Sequence, residues 1–488
     1  MPIEDKTDVK RKTVSGFFWQ FGQKILTQGI HFGISIVLAR LLMPEQFGVV
    51  ALTTIFINVA MVFANSGLGT SLIQAKETDD LDYNTVFFTG LGISILIYGI
   101  LFFTAPFVAQ WYQKDELTWI LRILGLTLLF SSLNSVQNAI VYRKLEIKKM
   151  FYATLAGVCV SAAVGVVLAF RGFGVWALVA STISNSAVNV LTMNLIIKWR
   201  PKFQFSFERL KKLYSFGINI MATEFMGTFC NELRGFIIGS KYSSTDLAFY
   251  NRGDVIPSVI SSNITGTIGN VLFPSMSKYQ DDKETVKRML RTSIKVCSFF
   301  VMPLMFFLLA VSDKIVLILY SEKWFAAIPF MQVLCLKGVF SIIGGINMQA
   351  VKALGKSGIL FKLELIKKPL YLGAIFAAMP FGPLAICIAN TIYDFVGTII
   401  NTLPNRKLLS YTFKEQLNDI IPCLLLSVAM LASVMTIGIF IENIYLSLAI
   451  QMVVGVVVYL GLSHLFALQS YKYVLTNFKS YLNAKKGN

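Results

Sequence analysis

Charge is scarce in this sequence, and acidic charge scarcer still. Charged residues are 14% of the 488, with 26 Asp and Glu against 44 Lys and Arg, where a soluble domain carries roughly 25% charged residues. That shortage excludes an ordinary soluble globular fold. Histidine is nearly missing. His31 and His464 stand far apart, no nucleophile–base spacing accompanies them, and a catalytic reading finds no support. Six cysteines (Cys159, Cys230, Cys297, Cys335, Cys387 and Cys423) lie in or beside apolar stretches without a CxxC. They read as small apolar residues, neither a disulfide framework nor a metal site. Gly67 and Gly69 lack the third glycine and the preceding strand of a dinucleotide site. Asp80-Leu81-Asp82 matches the bare DxD of some glycosyltransferases, but no soluble domain adjoins it and it reads as a solvated turn.

What is abundant is apolar sequence: 55% hydrophobic residues, with 40 Phe. A membrane-spanning helix needs about 20 mainly apolar residues, and fourteen segments qualify. They run over 15–39, 47–73, 83–108, 117–140, 151–170, 175–197, 213–239, 246–276, 294–320, 325–351, 359–379, 382–402, 418–440 and 444–466. The expected fold is therefore an all-α polytopic membrane protein. The opening MPIEDKTDVKRK is polar and basic, and the first apolar segment carries Gln20, Lys24, Gln28 and His31. This is expected to be a retained helix, not a cleavable signal. With fourteen spans and the N-terminus inside, one side collects Lys10 to Lys12, Arg143 and Lys144, Lys148 and Lys149, and the bases of 198–212. It also collects those of 278–295, Lys352, Lys356, Arg406, Lys407 and the tail from Lys472. Only scattered bases such as Lys114, Arg171 and Lys314 fall opposite. That asymmetry predicts both termini in the cytoplasm, and it explains the net charge of +18 without nucleic acid.

The expected division is a tail over 1–14, a six-helix bundle over 15–197, a cytoplasmic linker over 198–212 and a second six-helix bundle over 213–402. A linker and two further helices follow over 403–466, then a tail over 467–488. The linker KWRPKFQFSFERLKK interleaves bases with aromatics, a pattern suited to lying on anionic lipid more than to binding RNA. Residues 38–74 and 238–274 are faintly self-similar, with Pro44-Glu45-Gln46-Phe47-Gly48 aligned to Ser244-Thr245-Asp246-Leu247-Ala248. Such a repeat suggests two related bundles.

Polar residues recur at steps of three or four inside several spans, so each set shares a helix face. Gln20, Lys24, Gln28, His31 and Ser35 do so in the first. Ser181, Asn185, Asn189 and Thr192 do so in the sixth. Glu224, Thr228, Asn231 and Arg234 form the set of the seventh, with Glu232 beside them, and Asn390, Asp394, Thr398 and Asn401 that of the twelfth. One such stripe is helix packing by small polar residues; several favour a polar cavity. Lys24, Arg234, Arg252 and Lys337 would make that cavity cationic and suited to an anionic group such as pyrophosphate. Gln28, His31, Asn58, Asn185 and Asn231 would line it. Glu224, Glu232 and Asp394 suit either pairing with those bases or binding a coupling H+ or Na+. Lys367 and Lys368, with Glu364, read as snorkelling anchors. No cofactor is expected.

Several stretches carry a family resemblance. RLLMPEQFGVVALTTIFINVAMVFANSGLGTSLIQ (40–74), NSVQNAIVYRKLEIKKMF (134–151) and GFGVWALV (172–179) do so in the first half. FYNRGDVIPSVI (249–260), VLFPSMSKYQDD (271–282) and KWFAAIPFMQVLCL (323–336) do so in the second. In this order they resemble the WzxC-like branch of polysaccharide flippases in the MOP superfamily. The resemblance implies two pseudo-symmetric six-helix bundles plus two C-terminal helices. It implies alternating access that carries an undecaprenyl-pyrophosphate-linked oligosaccharide from the cytoplasmic to the outer leaflet of a bacterial inner membrane. No bond is made or broken, and the partners are the lipid-linked substrate, membrane lipids and polysaccharide polymerase or export proteins. It maps Lys24, Arg234, Arg252 and Lys337 to the pyrophosphate. The rivals are a MATE-like cation-coupled drug exporter, an integral-membrane glycan polymerase or ligase, and a non-transporting member of a polysaccharide assembly.

Overall fold

The structure is a computed structural model that describes residues 6–65, 67–75, 77–144 and 146–476. Among the described residues every regular element is helical. The chain falls into two compact units, residues 1–248 and 249–488. The first holds α1 (Lys6–Leu41), α2 (Pro44–Asn65), α3 (Leu68–Gln74), α4 (Asp80–Trp111), α5 (Glu116–Arg143), α6 (Ile147–Phe170), α7 (Val175–Ile196) and α8 (Phe207–Lys241). α9 (Ser244–Ser277) starts at the boundary and leads into the second unit. There follow α10 (Lys283–Ala310), α11 (Ser312–Tyr320), a 3-10 turn over Glu322–Ala327, α12 (Ile328–Ala353) and α13 (Ser357–Ala378). After a second 3-10 turn come α14 (Pro383–Leu409), α15 (Phe413–Ile439) and α16 (Ile444–Leu465).

Fourteen of the described helices have 22 residues or more, and each overlaps one of the fourteen expected spans. Ten are long and apolar enough to cross a membrane, counting the 3-10 turn that precedes α12. Their outward faces carry large apolar side chains, such as Leu195 at 83% exposure and Phe103 at 73%, which a lipid solvent accepts and water does not. This is an all-α polytopic membrane protein.

Two expected spans are interrupted. The helix expected over 47–73 stops at Asn65, because Gly67 adopts φ +65° before α3 begins. Such a backbone suits glycine, which has no Cβ to clash. Arg143 donates to the Leu72, Ile73 and Ala75 carbonyls and so caps the far end of α3. The span expected over 294–320 divides at Val311 into α10 and α11. The repeat is visible in the helix starts: α2 begins at Pro44 and α9 at the aligned Ser244. It is lost further on. α9 runs through the position aligned with Gly67, where the residue is Thr267.

The Asp80-Leu81-Asp82 triplet is not a solvated turn. Asp79 caps α4, with its side chain accepting from the Asp82 backbone N–H and the Asp82 side chain accepting from the Asp79 backbone N–H. The bond from the Asp82 N–H holds the Asp79 carboxyl below the usual carboxylate range. Asp82 is buried, with Arg209 of α8 3.4 Å away. The helical start of α1 at Lys6 also runs back into the stretch read as a tail. By contact, α8 belongs with α2, α3 and α4 of the first unit.

Candidate functional site

α2 and α8 run antiparallel, and three kinds of contact mark their seam. At one end Gly48 lies directly against the backbone of Ser244, just past α8. Next, Leu52 packs on Gly239, and Ile55 on Gly235, so the Gly-x3-Gly spacing on α8 admits α2 closely. At the far end Gly67 abuts the backbone of Gly217. Between these glycine contacts the seam turns polar and opens into a cavity of about 310 Å³. Asn58, Met61, Val62 and Asn65 line it from α2, and Glu224, Thr228, Asn231 and Glu232 from α8.

Inside the cavity Asn58 Nδ2 donates to Glu232 Oε1 at 2.8 Å. Asn65 Oδ1 accepts from Ser131 Oγ of α5 at 3.0 Å. Arg234 is half-buried on the same helix, within electrostatic reach of Glu232. Oxygen atoms dominate the lining, so the pocket can accept hydrogen bonds from hydroxyl and amide donors or hold a cation. Because Asn58 is exposed to the cavity, Glu232→Ala is expected to change folding stability by less than about 1 kcal/mol, water replacing the lost acceptor. Thermal unfolding of the purified variant checks this.

The other sequence-predicted residues are placed as follows. On α1, Lys24 and His31 are exposed and Gln28 is half-buried, while Leu38 and Leu42 pack on Ala169, Ala177 and Leu178. The side chain of Gln20 lies outside the described residues. Asn185 faces Gly157 of α6, Ser181 Oγ donates to the Ser161 carbonyl at 2.9 Å, and Asn134 of α5 donates to Asn189 at 2.8 Å. The α7 stripe is thus engaged in helix packing, away from the α2–α8 cavity. Asn231, Glu224 and Glu232 are brought together there; Lys24 and Asn185 are not among its lining.

In the second unit Arg252 is buried at 7% exposure. Its guanidinium stands 4.9 Å from the ring centres of both Tyr320 and Trp324, a cation–π setting. Lys337 on α12 and Asp394 on α14 are half-buried. Thr398 Oγ1 contacts the Asp394 and Phe340 carbonyl oxygens at 2.8 Å, tying α14 to α12. Lys367 pairs with Glu364 on α13 and is buried at 7% exposure.

Asp419 on α15, not among the expected site residues, is a densely connected polar group of this unit. Its carboxylate accepts from Arg291 Nε at 2.6 Å, Arg291 Nη2 at 2.9 Å and Tyr411 Oη at 2.8 Å, and Lys295 Nζ lies at 3.0 Å. Burial, then the bond to Asp419, pushes the Tyr411 hydroxyl above its usual range, so it stays protonated and donates. A signal was present: Lys287, Arg291 and Lys295 recur every four residues, as do Glu415 and Asp419 on the facing helix. One turn away, Asn347, Asn405 and Gln416 exchange bonds of 2.8 to 3.0 Å in full burial.

Residues 37–329, more than half the chain, match the family described as polysaccharide biosynthesis protein. This chain belongs to that family. It is similar to the succinoglycan biosynthesis transport protein ExoT of Rhizobium meliloti, at 26% identity over 79% of each chain. It is also similar to the lipopolysaccharide biosynthesis protein WzxC of Escherichia coli, at 24% identity over 81% of this chain and 80% of that one. Among solved structures, the lipid II flippase MurJ in an inward closed conformation has the same fold. The TM-score is 0.74 at 15% identity, over 94% of this chain and 100% of that one. The expected WzxC-like resemblance is borne out, and the all-helical fold is the one MurJ has.

Proposed function

We propose that this protein flips an undecaprenyl-pyrophosphate-linked oligosaccharide from the cytoplasmic to the outer leaflet, by alternating access, for surface polysaccharide biosynthesis. The observation that carries the reading is the family match over 37–329, together with similarity over 79% of the chain to a protein named for succinoglycan transport. Physically, a pyrophosphate and its sugars cannot cross about 30 Å of hydrocarbon unaided. The protein offers a wet polar path while the polyprenyl tail stays in lipid, and no covalent bond changes. The polar α2–α8 cavity supports the reading, since its Asn, Thr and Glu side chains match sugar hydroxyls.

In this reading Lys24, Arg234, Arg252 and Lys337 receive the pyrophosphate. Gln28, His31, Asn58 and Asn231 line the path, Asn185 being taken up by packing against Gly157, and Glu224, Glu232 and Asp394 serve H+ or Na+ coupling. The membrane is the bacterial inner membrane, with both termini in the cytoplasm, an orientation that the bases gathered in alternate loops support. The chain is arranged as two six-helix bundles plus two C-terminal helices, and polysaccharide polymerase or export proteins are its protein partners.

The test is surface polysaccharide in a null strain complemented with wild type, Lys24→Ala, Arg234→Ala or Arg252→Ala at matched membrane abundance. Each loss of a charged contact to the pyrophosphate is expected to lower export about tenfold, as removal of a charge-assisted bond does. Lipid-linked intermediate should accumulate inside. Full export by all three would remove the cationic assignment. A null strain that exports normally but loses drug resistance would move the function to the drug exporter.

A further inference from the structure

The segment between α7 and α8 is not an idle connection. Phe203, Phe205 and Phe207 are exposed at 97%, 55% and 73%, an apolar display that water disfavours and a partner must cover. Yet the segment is held in place. Asn84, buried in α4, accepts from the Lys202 backbone N–H at 2.8 Å and donates to Gln204 Oε1 at 3.4 Å. Buried Thr85 accepts from the Ser206 N–H at 3.2 Å. Arg209 reaches Asp79 and Asp82 at 3.3 and 3.4 Å. Arg200 donates to the Ile197 and Asn194 carbonyls at the end of α7. Trp199 packs edge-on against Phe87 and Tyr83, and Phe203 stacks on Phe88 with ring centres 5.0 Å apart. The exposure of the aromatics is therefore built in.

Charge completes the surface. Within 198–212 there are six bases and one acid, Glu208. Arg209 is engaged with the two aspartates of α4, and Arg200 with α7. Lys198, Lys202 and Lys211 lie on the exposed side. The segment starts where the lipid-facing helix α7 ends, near Leu195 at 83% exposure. Aromatics beside lysines at the end of a span fit the headgroup layer, the rings reaching toward acyl chains and the ammonium groups toward phosphates.

We propose that residues 198–212 form a preorganised docking site for anionic phospholipid headgroups, with Lys198, Lys202 and Lys211 meeting phosphate and Phe205 and Phe207 entering the acyl boundary. Preorganisation means that lipid binding need not order the loop, so the electrostatic gain is not spent on chain entropy. The site is independent of the cargo and holds whatever the transporter carries.

The experiment is native mass spectrometry of the full chain, titrated with equimolar phosphatidylglycerol and phosphatidylcholine. Wild type is expected to retain phosphatidylglycerol about tenfold more than phosphatidylcholine. The triple variant Lys198→Gln, Lys202→Gln, Lys211→Gln is expected to lose that preference, each base contributing a several-fold factor. The triple variant Lys278→Gln, Lys283→Gln, Arg288→Gln, at exposed bases elsewhere, should keep it. The Phe205→Ser, Phe207→Ser variant should keep the preference but hold both lipids more weakly. A wild type without preference, or a loop triple variant that retains it, would overturn the proposal. Saturable retention of inorganic pyrophosphate in place of any lipid preference would overturn it too, in favour of a soluble-anion site.

Discussion

Asp419→Ala is expected to destabilise the second unit by about 3 kcal/mol, the low end of the range for breaking a buried ion pair from one side. The carboxylate is 4% exposed and gathers Arg291, Lys295 and Tyr411. Removing it leaves two cations facing each other and a buried hydroxyl without its acceptor. Arg291 is 44% exposed and can turn to water, which keeps the loss from being larger. Lys295 is 18% exposed and has less room to do so. For contrast, Glu146→Ala breaks a pair with Lys149 in which both partners are about 40% exposed. That change should alter stability by under about 1 kcal/mol. Chemical or thermal unfolding of both variants in the same detergent makes the comparison. Equal, small effects would show that the α10–α15 contact does not depend on the cluster.

Gly48→Ala is expected to reduce stability by about 2 kcal/mol or more, the opposite of what helix propensity alone dictates. Alanine in a helix interior gains up to about 1 kcal/mol over glycine. At Gly48, however, an added Cβ would collide with the carbonyl oxygen of Ser244. That atom is backbone, so relief requires moving a helix, and overpacking of this sort costs about 3 kcal/mol. Gly90→Ala in α4 is the control. Nothing lies within 4 Å of its added Cβ, and the change should be neutral or stabilising. If Gly48→Ala matched Gly90→Ala in folded yield and melting temperature, the close α2–Ser244 contact would be disproved.

The span pattern was legible because hydrophobic length and basic loops are properties of short windows of sequence. Even the breaks had local marks. Gly67 sits where α2 stops. The triplet around Asp80 misled because a capping box and a buried aspartate need Arg209, more than a hundred residues away, to be recognised. Asn185 is similar: its periodicity announces a polar stripe, but whether that stripe meets water or Gly157 of a neighbouring helix depends on packing. The set Asn58, Asn231, Glu224 and Glu232 was found in sequence as parts of two separate stretches. Only the antiparallel pairing of α2 with α8 makes them one cavity.

By itself, then, the sequence determined an all-helical membrane protein, its fourteen long helices and the family resemblance. These follow from apolar length, charge placement and local motifs, each read within about 20 to 35 residues. Tertiary structure alone decided which polar residues share a cavity, which are absorbed by helix packing, and that Asp419 gathers the bases of α10. It also decided that the 198–212 segment is a fixed surface. The physical reason is that a polar side chain in a membrane helix must be satisfied by something, and its partner is chosen by which distant helix the fold lays against it.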